Sequence, residues 1–540
     1  MISFSVYSNA KLADKLNLSG AYVVGSDDVP LRAELAFKGG TITCKKRAAG
    51  PAGLALLWEV QGAGLILIET IRVQERDQPY ILQVELARGR LMRIAHKLED
   101  WGLFDFEEMR ELLAGVDAAR DILIRALQAD DPATAAEIGQ QALEAAVQCS
   151  EDISRFHASA LFTRRKQSGS PGRRVFGCTI ALDKPTELAR KRVTSAFDFA
   201  VLPIVWRDIE PTEQAFTWKP LDAWVEALSR STGGVPLRGS ALLAFTEQNV
   251  PDWLYIWEHD FDTIRDLAFE HVRRVVNRYG QHIQAWTVIS GIHAPTCFVF
   301  GFEQLMELTR MAAALVKQIS PRGTAIVELV APFGEYYARN QRTIPPLLYA
   351  DMVVQSGVSF DAFGLRFQFG QPADGMFVRD LFAVSALLDQ FAKLGKPLHI
   401  TGVEVPSQAG AWRGEGDADG GDAGPAAGAG GTGGYWREPW SESTQADWLQ
   451  RFYELALSKP FIESICWNNL WDASATGEAA RDAAKSAHGR STASSSAGGP
   501  PASRQGASSG LLRSDLAPKT AYKKLLEIRQ EMNAASQGQR

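Results

Sequence analysis

From residue 175 onward the sequence alternates between short apolar, β-branched runs and longer segments with apolar residues at three- and four-residue spacing. Eight strand-like runs follow in order: VFGCTIAL, FAVLPIVW, PLRGSALLAF, IQAWTVIS, GTAIVELVAPF, FDAFGLRF, KPLHITGVEV and FIESICWNNLW. Helix-like runs lie between them, among them FDTIRDLAFEHVRRVVNRYG, GFEQLMELTRMAAALVKQI, DLFAVSALLDQFAKLG and TQADWLQRFYELALS. Eight β/α repeats are the count that closes a TIM barrel, so the expected fold class is α/β, a (β/α)8 barrel over 175–535. Such barrels do their chemistry at the C-terminal ends of the strands, which is where a site is to be sought.

Two segments interrupt the alternation, 409–434 after the seventh strand and 475–510 after the eighth. Both are rich in Gly, Ala and Ser and poor in apolar side chains, so disordered insertions are expected. Ahead of the barrel, residues 1–105 read as short strands with turn signals, a small β-sandwich that takes in YILQVELARGRLMRIAHKL as a further extended run. Residues 106–165 carry two amphipathic runs and are expected to form a helical hairpin, followed by the linker KQSGSPGRR.

With 540 residues the chain exceeds one ordinary core. It has 46% hydrophobic and 22% charged residues and a net charge of −6, with no basic stripe, which argues against nucleic acid as a partner. No apolar run has the length of a membrane span, and the first twenty residues lack the pattern of a signal peptide. The five cysteines, Cys44, Cys149, Cys178, Cys297 and Cys466, are scattered and show no metal-type spacing. Reduced thiols and a cytoplasmic location are the expectation, with no metal and no cofactor.

Several stretches of the barrel half resemble glycoside hydrolase family 10, the family of endo-β-1,4-xylanases. WRDIEPTEQAFTW (206–218) is similar to its second-strand segment, LRGSALLAFTEQNVPDWL to its third, and RYGQHIQAWTVISGI to its fourth, with Ala-Trp-x-Val-x-Asn-Glu as the family pattern. KPLHITGVEV is similar to the Thr-Glu-Leu-Asp seventh strand and GLLRSDLAPKTAYKKL to the closing segment. The resemblance implies the barrel, but it also implies a loss. The family's acid/base glutamate falls on Gly291, after Ser290, and its nucleophile falls on Gly402, between Thr401 and Val403. Sugar-gripping positions depart as well: AVLPIVW is apolar throughout, Ser240, Ala244 and Phe245 replace further contacts, and Arg366 and Gln368 replace a Gln and a His.

Retaining glycoside hydrolysis needs two carboxyl groups about 5 to 5.5 Å apart, and glycine supplies neither proton nor nucleophile. Losing general acid–base help alone costs on the order of 10²- to 10⁴-fold in rate. No catalytic residue is therefore assigned, and a catalytically silent barrel that binds a glycan or related ligand is the first expectation. The alternatives are displaced chemistry and a protein-interaction module with the N-terminal domain as the partner-binding part. For displaced chemistry, His293 and Glu404 lie two residues beyond the lost positions and Glu328 lies on the fifth strand. Each has a plain reading: an exposed loop histidine for His293, and buried, hydrogen-bonded carboxylates for Glu404 and Glu328.

The aromatic residues near predicted strand ends are the remaining signal, because ring faces stack on sugars without any carboxylate. Trp206, Trp253, Trp412, Trp436, Trp440, Trp467 and Trp471 fall there. Trp206, Trp436, Trp440, Trp467 and Trp471, with Arg366, are the candidate ligand-binding residues. Trp206 and Trp467 read equally well as barrel core, whereas Trp436 and Trp440 read as surface residues of a loop.

Overall fold

The computed structural model describes residues 1–104, 106–167, 175–229, 234–409, 433–473 and 508–537. All eight barrel strands form: Phe176–Thr179, Phe199–Pro203, Leu237–Ser240, Ile283–Ser290, Thr324–Val330, Ala362–Gln368, Leu398–Glu404 and Ile462–Trp467. Each pairs in parallel with its neighbour, and the first pairs with the last to close the barrel. Buried on both faces, they read as near-continuous apolar runs. The four helix-like runs quoted above lie at Phe261–Tyr279, Phe302–Ile319, Leu381–Ala392 and Glu442–Ser458. The predicted insertions fall almost wholly on 410–432 and 474–507, outside the described residues, as does Trp412.

The N-terminal part holds two larger sheets and a two-stranded one, Tyr7–Ser8 with Lys11–Leu12. Of the larger two, one is ordered Tyr80–Ile81, Ile2–Ser5, Thr41–Lys46, Ala33–Lys38, with only the first pair parallel. The other contains Gly64–Glu69, Gly53–Val60, Tyr22–Val24 and Pro30–Leu31, all antiparallel. One expectation is corrected: YILQVELARGRLMRIAHKL is extended only at Tyr80–Ile81 and is helical over Leu82–Asp100. Leu82 and Leu86, then Ala87, Leu91, Ile94 and Leu98, are buried at three- and four-residue spacing, so the helical period wins over the local alternation at its start. The two expected helices follow, Arg110–Gln128 and Pro132–Gln167.

The N-terminal part is joined to the barrel through loops at the C-terminal ends of the fifth, sixth and seventh strands. Tyr435–Trp436, beyond the seventh strand, adds to the edge of the N-terminal sheet against Gly64 and Leu65. Arg379, between the sixth strand and its helix, is buried and donates to Glu335 (Nη2–Oε1, 2.5 Å) and to the Tyr22 hydroxyl (2.8 Å), with Glu69 at 3.7 Å. Arg90 of the first helix pairs with Asp380 at 2.5 Å, both buried. On that sector the barrel rim is covered by the N-terminal sheets.

Candidate functional site

At the C-terminal ends of the middle strands, polar side chains meet inside the barrel. Glu328, 1% exposed, accepts two hydrogen bonds from Arg366, Nε to Oε2 at 3.2 Å and Nη2 to Oε1 at 3.1 Å. A side-on guanidinium–carboxylate pair of this kind is among the stronger charge-assisted contacts. Ser290, at the end of the fourth strand, donates its hydroxyl to Glu328 Oε2 at 2.5 Å. Burial works against the charge on Arg366, but Glu328 beside it, and Glu404 more weakly, hold its pKa above the usual range.

Glu404 ends the seventh strand and is 1% exposed. It accepts from Gln368 Nε2 at 3.1 Å, from Asn468 Nδ2 at 2.9 Å and from Ser509 Oγ at 2.6 Å. The plain readings of Glu328 and Glu404 as buried, hydrogen-bonded carboxylates are what the geometry gives. Of the residues that complete these contacts, Ser290 was named in the sequence only as the neighbour of Gly291, and Asn468 and Ser509 were not singled out. Their partners lie on neighbouring strands or at the far end of the chain, so spacing carries no signal for them.

The two glycines differ in setting. A β-carbon built on Gly402 would stand 3.3 Å from Arg366 Cγ and 3.5 Å from its Nε. A side chain there would project onto the guanidinium, so Arg366 fills the space that a residue at 402 would use. Gly291 has a left-handed backbone, φ +62°, and a β-carbon there would come within 2.8 Å of Val330 Cγ2. The chain turns sharply after Ser290 rather than presenting a side chain.

The displaced-chemistry candidates are all buried, Glu328 and Glu404 within the hydrogen bonds just described. His293 is wholly buried, not an exposed loop residue. Its ring lies between those of Tyr336 and Tyr349, with centroids at 5.8 and 5.5 Å, and neither ring nitrogen has a hydrogen-bond partner among the described residues. Burial pushes its pKa down to about 3, so it is neutral near pH 7.

Placement of the tryptophans corrects the surface expectation. Trp436 and Trp440 are buried, because the Tyr435–Trp436 strand is sewn into the N-terminal sheet and Trp440 Nε1 donates to Gly434 O at 3.0 Å. Trp206 is core: it stacks on His271 with centroids at 4.5 Å and donates to Glu210 at 3.1 Å. Trp467 donates to Ser509 O and Trp471 to Asp183, and both are buried. Of the six candidates, only Arg366 keeps partial exposure.

Comparison with known proteins follows this geometry. Residues 195–297 match the model of glycosyl hydrolase family 10. That span runs from before the second strand to the loop after the fourth; it includes Gly291 and excludes Gly402. Among solved structures, native xylanase 10B from Thermotoga maritima is similar at 13% identity and a TM-score of 0.45, covering 67% of this chain and 95% of that one. Xylanase B from Clostridium stercorarium F9 is similar at 15% identity and a TM-score of 0.45, covering 68% and 99%. No curated protein matches the chain.

Proposed function

We propose that this chain is a glycoside hydrolase family 10-like barrel that does not cleave glycosides. The observation that carries the reading is Arg366 lying against Gly402, paired side-on with Glu328. Under the resemblance, the nucleophile position has no side chain and its space holds a cation. Gly291, at the acid/base position, has a backbone that disfavours any side chain. Glu404 already accepts three hydrogen bonds, and its release into catalysis would cost all of them. A carbohydrate or related polar ligand remains the class of ligand the resemblance suggests, with Arg366 as the group that would meet it. A cytoplasmic location is proposed with it, on the five unpaired thiols.

A second reading, a protein-interaction module, is favoured by the burial of Trp206, Trp436, Trp440, Trp467 and Trp471, which leaves none of those ring faces free for a sugar. The test of the first reading is turnover. Purified protein is expected to release no product from xylan or aryl xylosides above the buffer rate. A rate that Glu404→Gln abolishes would show that displaced carboxylates do the chemistry and would overturn the reading.

A further inference from the structure

Besides the loops that meet the N-terminal sheets, two further loops of the barrel rim expose large apolar side chains. In the loop after the third strand, the short helix Asp252–Trp257 exposes Ile256 (78%) and Trp257 (38%). After the fourth strand, Val299 of the loop (70%) and Phe302, the first residue of the next helix (42%), are exposed. The two segments are fastened to each other from beneath by aromatic rings. Tyr255 lies 5.1 Å from Phe298 between centroids, Phe298 lies 6.0 Å from Phe300, and Phe300 lies 5.9 Å from Phe261 and 4.9 Å from Phe245. Phe298 holds a left-handed backbone, φ +62°, a conformation that costs a bulky residue free energy and that the surrounding rings must impose. Large apolar side chains are thus presented on a base that is already ordered, and ordering is a main cost of association.

The rim of this patch is acidic. Glu247, Asp252, Glu258, Asp260, Asp262 and Glu303 are all exposed around it. Arg207 answers Asp252, Arg265 answers Asp262 at 2.8 Å, and His259 lies 3.6 Å from Glu258. Carboxylates outnumber these cations. A second copy of the chain docked patch to patch would set this rim against its own image, which like-charge repulsion opposes.

We propose that this lip, residues 252–262 and 297–303, is a docking surface for a partner protein that presents an amphipathic segment with an apolar face and Lys/Arg flanks. Apolar anchors at helical spacing would cover Ile256, Trp257, Val299 and Phe302, and the flanking cations would meet the acidic rim. The site lies outside the barrel interior and does not depend on whether the mouth hydrolyses glycosides.

The test uses the full chain and a fluorescein-labelled helical peptide of Leu and Lys, about 14 residues or ~21 Å of helix. Binding is read by anisotropy, beside a peptide with Glu in place of Lys. The expected result is binding of the Lys peptide, at least about tenfold weaker binding of the Glu peptide, and a loss of about tenfold with Ile256→Ser/Val299→Ser. Both positions are exposed, so the melting temperature of the double variant should be unchanged. Equal affinity of the wild type and the double variant for the Lys peptide would show attraction by charge alone and overturn the proposal. So would self-association in sedimentation equilibrium that the double variant abolishes, which assigns the patch to a second copy. Displacement of the peptide by xylohexaose would assign it to a glycan and overturn it likewise.

Discussion

Gly291 and Gly402 both stand where strands of the barrel reach its mouth, yet they are glycine for different reasons. Gly291 occupies the left-handed region, where an L side chain costs about 1–2 kcal/mol before any crowding is counted. Crowding adds to it, since a β-carbon would press on Val330 at 2.8 Å. Gly402 lies in a strand with no positive φ, and its nearest neighbour is the flexible stem of Arg366 at 3.3 Å. Gly291→Ala is therefore expected to destabilise by at least ~1–2 kcal/mol, and Gly402→Ala by less than about 1 kcal/mol. Urea unfolding of the two variants side by side checks the order, and equal losses would mean that the turn at 291 does not need its glycine. The same contrast governs larger side chains. A carboxylate at 402 would compete with Glu328 for one guanidinium, whereas one at 291 would first have to reshape the turn.

At the scale of elements, the helix Pro132–Gln167 does more than close a hairpin. Its 36 residues span about 54 Å, long enough to run from the N-terminal sheets along the flank of the barrel. Its far end is pinned by Arg165, whose guanidinium donates to the carbonyls of Leu457 (2.8 Å), Lys459 (2.6 Å) and Ile462 (2.9 Å), where the eighth strand begins. Hydrogen bonds from a charged donor contribute about 1.5–3 kcal/mol each, and orphaned carbonyls add a penalty. Arg165→Met is expected to cost about 3 kcal/mol or more and to speed hydrogen exchange at the amides of Lys459 and Ile462. Unchanged exchange at those two amides would show the helix end to be only loosely attached. The barrel strands were legible in the sequence because parallel strands bury both faces and so stay apolar end to end. The helix Leu82–Asp100 was not, because YILQVEL alternates before the helical period is established. Trp436 was misread for another reason: its cover is a strand at Gly64–Leu65, and nothing near 436 announces it. The site was legible as types of residue, Glu328, Arg366, Glu404. Its pairing was not, since Arg366 meets Glu328 through strand register.

At the scale of the whole molecule, burial favours the neutral form of four histidines among the described residues. Burial pushes His271, His293 and His399 down to about 3 and His157, stacked on Trp101, down to about 4, from an ordinary 6.5. Unfolding frees each ring to bind a proton once the pH is below about 6.5, whereas the folded state binds it only near the lowered value. The stabilisation from keeping these rings neutral is therefore full above pH ~6.5 and is lost as the pH falls toward 3–4. Glu151 and Asp374 act in the opposite sense. Burial raises them to about 7 and about 6, so the stability they contribute is present at low pH and is lost as the pH rises through those values. Comparing two proteins that share both carboxylates removes them from the difference. His293 is the residue to change, since its ring lies between two tyrosine rings and both of its nitrogens lack partners among the described residues. His293→Phe fits an aromatic ring into the same slot and removes the buried unpartnered atoms. The variant is expected to be at least as stable as the wild type at pH 7.5. Between pH 6.5 and 4.5 its stability should fall less steeply, by about one proton in the slope of free energy against pH. Denaturant titrations at a series of pH values read that slope directly. Equal slopes for the two proteins would mean that His293 is protonated in the folded state, and that the loop after the fourth strand opens to water as the pH falls.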